Sequence, residues 1–225
     1  MTPFLRLFIV FLFPMVFLAS CSPQAIIPAE EKPKYGGARP IESAAAQGLD
    51  KQKAMEEAWD YQNRGYPELA IRRFNEIWLI DPSNPEVLHG FASALISQGK
   101  LSEAQKMYEE SVERNPTHAY SLCRLARLYQ SKAARMAPNF FSNPKEAERY
   151  VDKALALYQK ASLAAANDEE RGYVYYEWAI CLALVSDFEG AWEKVHLSQK
   201  YDPKRVEPAF LGKLTKDMPD PQRRS

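Results

Sequence analysis

Three histidines, three cysteines and a scatter of carboxylates are the side chains in this 225-residue chain with chemistry to offer, and their spacing limits what that chemistry is. His89, His118 and His196 lie far apart in the chain. None belongs to an HExxH pair or another metal-ligand cluster. Gly99-Lys100 lacks the upstream glycine of a phosphate-binding loop, and no GxSxG elbow occurs. The carboxylates are spread among lysines and arginines, as on solvated helix faces. These residues argue against an enzyme and against a resident metal or small-molecule cofactor. With 29 basic residues against 29 acidic, no charge excess points to nucleic acid.

The cysteines divide. Cys123 and Cys181 fall on expected helices, where two readings stay open: a pair of buried apolar thiols, or a disulfide if their Cα atoms approach within about 7 Å. Their helical phases differ, which disfavours the pair. Cys21 is different, because it sits at a border. Before it, "LFIVFLFPMVFL" (7–18) is an apolar run following Arg6. That run has the proportions of a secretory signal and falls short of the roughly 20 residues a bilayer-spanning helix requires. After it, "SPQAIIPAEEKPKYGGARPIESAAAQG" (22–48) carries four prolines and three glycines and keeps no helical or strand period. This reads as a flexible tether with an end-to-end distance of roughly 30 Å.

Leu18, Ala19, Ser20 and Cys21 resemble the lipobox of bacterial lipoproteins. The resemblance implies that residues 1–20 are a signal peptide cut off before Cys21. It further implies a diacylglyceryl thioether and an acylated amine on Cys21, a covalent lipid rather than a cofactor. Several acyl chains anchor stably where one alone binds marginally. Ser22 stands where an aspartate would favour the inner membrane, so the implied address is the periplasmic face of the outer membrane. Residues 21–49 are then a lipidated tether.

Downstream the chain repeats itself. Ala58, Ala92 and Ala126 recur every 34 residues, as do Gly65 and Gly99, Ala70 and Ala104, and Pro82 and Pro116. A further copy returns at Ala179, Leu182, Ala191 and Pro203. Small residues let two helix axes approach to about 8–10 Å, the glycines suit a turn of positive φ, and the prolines stop each unit. This pattern resembles the tetratricopeptide repeat over about residues 50–204. Units are expected at about 51–84, 85–118, 119–171 and 172–205. The third is enlarged: Pro138 to Asn143 reads as a loop, followed by a long second helix over about 144–165. Residues 205–225 carry Val206, Phe210, Leu214 and Met218 at helical spacing. They are expected to form a helix that covers the last repeat, with a partner-binding segment as the alternative. The expected fold is an all-α, right-handed solenoid of four helix-turn-helix units with a C-terminal capping helix.

In the tetratricopeptide family the first helices line a concave groove that holds an extended or helical peptide. Carried onto this chain, that implies Met55 and Trp59; Glu86, His89 and Ser93; Tyr120, Arg124 and Arg127; and Tyr173, Tyr176 and Ile180. Trp59, His89, Tyr120, Arg124, Arg127, Tyr173 and Tyr176 are the strongest candidates, being of types that dominate binding hot spots. Phe140 and Phe141 form a second candidate patch, covering either the enlarged unit's own core or a partner. The lysine and asparagine pattern that clamps a peptide's terminal carboxylate is missing. The expected function is a non-enzymatic, lipid-anchored scaffold holding a partner protein in a cell-envelope assembly, by analogy with lipoproteins that assist pili and secretion systems. Two alternatives are a self-associating structural lipoprotein, hence a homo-oligomer, and an adaptor of a peptidoglycan enzyme.

Overall fold

The computed structural model describes residues 48–136 and 144–224, and the described residues form helices and turns with no strand among them. The helices are α1 (Lys51–Asn63), α2 (Pro67–Ile80), α3 (Pro85–Ser97), α4 (Leu101–Arg114), α5 (Ala119–Met136), α6 (Pro144–Ala164), α7 (Asp168–Leu184), α8 (Phe188–Tyr201) and α9 (Pro208–Asp217), followed by a short 3-10 turn at Pro221–Arg224. None of them is long and apolar enough to cross a membrane. Cys21, the signal segment and the tether as far as residue 47 lie outside the described residues, as do Phe140 and Phe141.

Each unit is a helix pair closed at an alanine crossing. Ala58 with Ala70, Ala92 with Ala104, Ala126 with Ala154, and Ala179 with Ala191 are all fully buried. The enlarged unit keeps the same crossing because its extra length falls between the two crossing alanines, lengthening the end of α5 and the start of α6 as well as the segment that joins them.

Asp50, Asn84, Asn167 and Asp187 cap α1, α3, α7 and α8, their side-chain oxygens accepting backbone N–H groups of the first turn. Asn115 and Asp202 are extended and Asp81, at φ −141° and ψ 75°, has likewise left the helical region that a following proline disfavours, and the three end α4, α8 and α2. The turns inside the first two units are alike: Gly65 and Gly99 take φ of 80° and 75°. There Tyr66 N–H donates to the Tyr61 carbonyl and Lys100 N–H to that of Leu95.

The core is built of four clusters that each need a neighbour. Ala58 and Phe74 of the first unit pack with Phe91 of the second, and Leu95 and Tyr108 of the second with Leu125 of the third. Ala126 and Tyr158 of the third unit pack with Val174 of the fourth. The fourth unit's Tyr176 and Trp192 pack with Val206 and Leu214. No unit buries its apolar face alone, the condition that makes a helix-pair array stack. α9 closes the series: Phe210 and Met218 join the last cluster, and the Trp192 indole N–H donates to the Met218 carbonyl at 2.9 Å.

Candidate functional site

The first helices of successive units bring one aromatic ladder together. Trp59 of α1 lies 5.4 Å from the ring of His89 on α3, His89 lies 6.2 Å from Tyr120 on α5, and Tyr120 lies 5.4 Å from Tyr173 on α7. Trp59 is fixed from two sides, edge-on to Phe74 and donating its indole N–H to Glu86 Oε1 at 3.2 Å. At the far end, the Arg124 guanidinium sits 5.4 Å from the Tyr173 ring centroid and that of Arg205 5.9 Å. These side chains line a cavity of about 520 Å³. A second cavity, of about 630 Å³, shares Trp59, Asn63 and Glu86 with it and runs along α1 past Met55 and Glu56.

Beneath the ladder lies a buried polar chain. Ser121 Oγ is 3.2 Å from His89 Nδ1, 2.6 Å from His118 Nδ1 and 2.8 Å from Ser111 Oγ. Ser111 donates its one proton to the Pro85 carbonyl. Counting protons then fixes the rest: Ser121 must donate to Ser111, so both histidines donate to Ser121 from Nδ1–H. The protons run His89 and His118 to Ser121 to Ser111 to Pro85. A serine beside a histidine at 2.6 Å invites comparison with a base-activated nucleophile, but such a serine must give its proton to the imidazole. Here the donation runs the other way, and Ser121 has no exposed surface. The cluster positions; it does not attack.

Burial keeps both imidazoles neutral. The His89 pKa is pushed well below its ordinary value by desolvation, helped by neighbouring His118 and Arg124. That of His118 is lowered by desolvation too, against an opposing pull from Glu86 and Glu170.

Trp59, His89, Tyr120, Arg124 and Tyr173 thus meet at one cavity, with Glu86 on its wall. Arg127 and Tyr176 are placed elsewhere. Arg127 is bound to the buried Glu177 carboxylate at 2.8 Å, and Tyr176 packs edge-on against Phe210 of α9, with 7% of its surface exposed. Met55 lines the adjoining cavity, the Ser93 carbonyl accepts from Gln62, and Ile180 packs under α9. The structure adds His118, Glu169 and Arg205 to the site. Two of these come from turns, His118 before α5 and Arg205 after α8, which carry no helical period to read.

Cys123 and Cys181 are both buried and not joined to each other. Desolvation pushes Cys181 up to about 12 and Cys123 well above its ordinary value, so both stay protonated. Among the described residues no three His, Cys, Asp or Glu side chains gather in a set that could hold a metal ion.

Comparison with known proteins agrees with this architecture. A tetratricopeptide-repeat family model matches residues 64–130. A thermophilic tetratricopeptide-repeat protein from Thermus thermophilus superposes with a TM-score of 0.60 at 14% identity, over 77% of this chain and 94% of that one. MamA from Desulfovibrio magneticus superposes with a TM-score of 0.52 at 19% identity, over 78% of this chain and 89% of that one. No curated protein matches the chain. The fold is a tetratricopeptide-repeat solenoid, and no catalytic family is indicated.

Proposed function

We propose that this protein is a lipid-anchored scaffold, held through Cys21 at the periplasmic face of the outer membrane, whose groove grips a segment of a partner protein in a cell-envelope assembly. The tetratricopeptide-repeat fold is one of protein–protein interaction. One observation carries the groove reading: Trp59, His89, Tyr120, Arg124 and Tyr173, from four consecutive first helices, line one open cavity of about 520 Å³. Aromatic rings and guanidinium groups held in place by their neighbours present binding area with little entropy left to lose. The anchor rests on the sequence around Cys21, and the tether from Ser22 to Gly48 would let the solenoid reach a partner clear of the bilayer.

Site-specific photo-crosslinking in cells tests this reading. A photoreactive residue in place of Tyr120 should crosslink to one defined partner, one in place of exposed Lys160 on α6 should not, and Trp59→Ala should abolish the Tyr120 product. Equal products from both positions would remove the groove from the mechanism. In the same cells Cys21→Ala should leave an unprocessed precursor that takes up no acyl label. Continued labelling would sink the anchor.

A further inference from the structure

The charges along the groove are not evenly spread. At the α1 end Glu56, Asp60 and Glu86 line the cavities together with Lys51, whose ammonium pairs with Asp81 at 3.5 Å. At the α5–α7 end stand Arg124 and Arg205 with one carboxylate, Glu169. Arg205 already has partners, Asp202 at 3.0 Å and Glu169 at 3.8 Å. Arg127, one helical turn from Arg124, has Glu177. Arg124 is half-buried, lies against the Tyr173 ring, and forms no ion pair with any described carboxylate. A partly desolvated guanidinium gains most from a carboxylate, which it can grip through two parallel N–H donors.

We infer that the groove takes an extended segment of the partner protein that sets an aspartate or glutamate side chain on Arg124 and apolar side chains along the ladder from Tyr120 to Trp59. The inference rests on the groove reading above. Ladder steps of 5.4, 6.2 and 5.4 Å are spanned by roughly five residues of extended chain at about 3.4 Å each. Glu56 and Glu86 repel a second carboxylate at the α1 end, so the acidic residue of the segment belongs at one end only. The carboxylate is assigned to a side chain, because a second cavity adjoins the first at Trp59, Asn63 and Glu86 and runs along α1, which gives a segment room to pass Trp59 rather than end beside it.

The full chain, immobilised, is exposed to two libraries of short peptides, acetylated at one end and amidated at the other. They are identical except for one fixed position, glutamate in the first library and glutamine in the second. Glutamate peptides should be retained about tenfold better, the span of a charge-assisted hydrogen-bonded pair. Arg124→Gln should erase that preference, and Arg124→Lys should keep part of it, with thermal unfolding of each variant followed alongside. If Arg124→Gln does not fold, the glutamate-to-glutamine ratio on the parent and on Arg124→Lys carries the test. Equal retention of both libraries, or a preference that survives Arg124→Gln, overturns the carboxylate assignment and leaves the groove a peptide site. Retention of neither library overturns the groove reading as well. A third library with free C-terminal carboxylates and no acidic side chains, retained in preference to the capped glutamate library, overturns the side-chain assignment.

Discussion

His89 and His118 are two titratable rings whose centroids stand 5.4 Å apart in the groove floor, both committed through Nδ1–H to one serine hydroxyl. Their pKa values are lowered in the folded state, chiefly by burial. Above about pH 6.5 folded and unfolded chains alike hold them neutral, so they leave stability unchanged. As pH falls below that, the unfolded chain takes up protons the folded one refuses. Stability then drops by as much as about 1.4 kcal/mol per pH unit for each histidine. The urea midpoint should therefore be flat from about pH 8 to 7 and fall between about pH 6.5 and 5.5, with a shallower fall in His89→Gln. A midpoint independent of pH over that window would mean that the rings protonate freely in the fold. Two residues at this scale escaped the sequence. Arg127 and Tyr176 sit at the same helical phases as Trp59 and His89, one residue after and three before their units' crossing alanines. Only the folded chain shows that Glu177 claims the first and Phe210 covers the second.

Helix pairs were the legible element, because the physical need for a small side chain at every crossing repeats with the unit and leaves a period in the chain. The turns were legible only where glycine marked them. Gly65 and Gly99 are at positive φ with open space where a Cβ would stand, so what they supply is conformation alone. The fourth unit builds the same turn without glycine: Ser186 takes φ of 63°, and Asp187 N–H donates to the Leu182 carbonyl as Tyr66 and Lys100 do to theirs. A serine gives no sign in the sequence that it will adopt the left-handed region. There it costs about 1 kcal/mol that glycine would not. Ser186→Gly should stabilise the protein by roughly 0.5–1 kcal/mol, and Gly65→Ala or Gly99→Ala should destabilise it by about 1 kcal/mol. Urea denaturation with an unchanged m-value is the measurement. A Ser186→Gly variant no more stable than the parent would show that its hydroxyl, rather than its backbone, sets the turn. A second shared device was invisible in the sequence. Ser111 and Ser198, each seven residues after a crossing alanine and fully buried, donate to the carbonyls of Pro85 and Gly172 at the start of their partner helices.

A stack of units that bury their faces only against neighbours behaves as a nearly one-dimensional molecule, with stability passed from unit to unit and lost first at an open end. The α1 end presents Lys51, Gln52, Lys53, Glu56 and Asp60 to solvent and needs little cover. The other end is apolar, and α9 covers it: Leu214 is 1% exposed, against the cluster that contains Tyr176, Val195 and Val206. Truncating that side chain opens a cavity at the end of the array. Leu214→Ala should accordingly cost about 2–5 kcal/mol locally. Because the coupling runs through nearest neighbours, the loss should not be shared equally. Native-state hydrogen exchange should show amides of α7 and α8 losing most of their protection, those of α5 and α6 less, and those of α1 and α2 almost none. The Tyr120–Tyr173 contact spans the third and fourth units, so the Arg124 end of the groove should loosen with α7 while the Trp59–Glu86 end holds. Protection lost evenly from α1 to α8 would mean that the solenoid unfolds as one cooperative body, and α9 would then be a stabiliser of the whole molecule rather than the cover of its last unit.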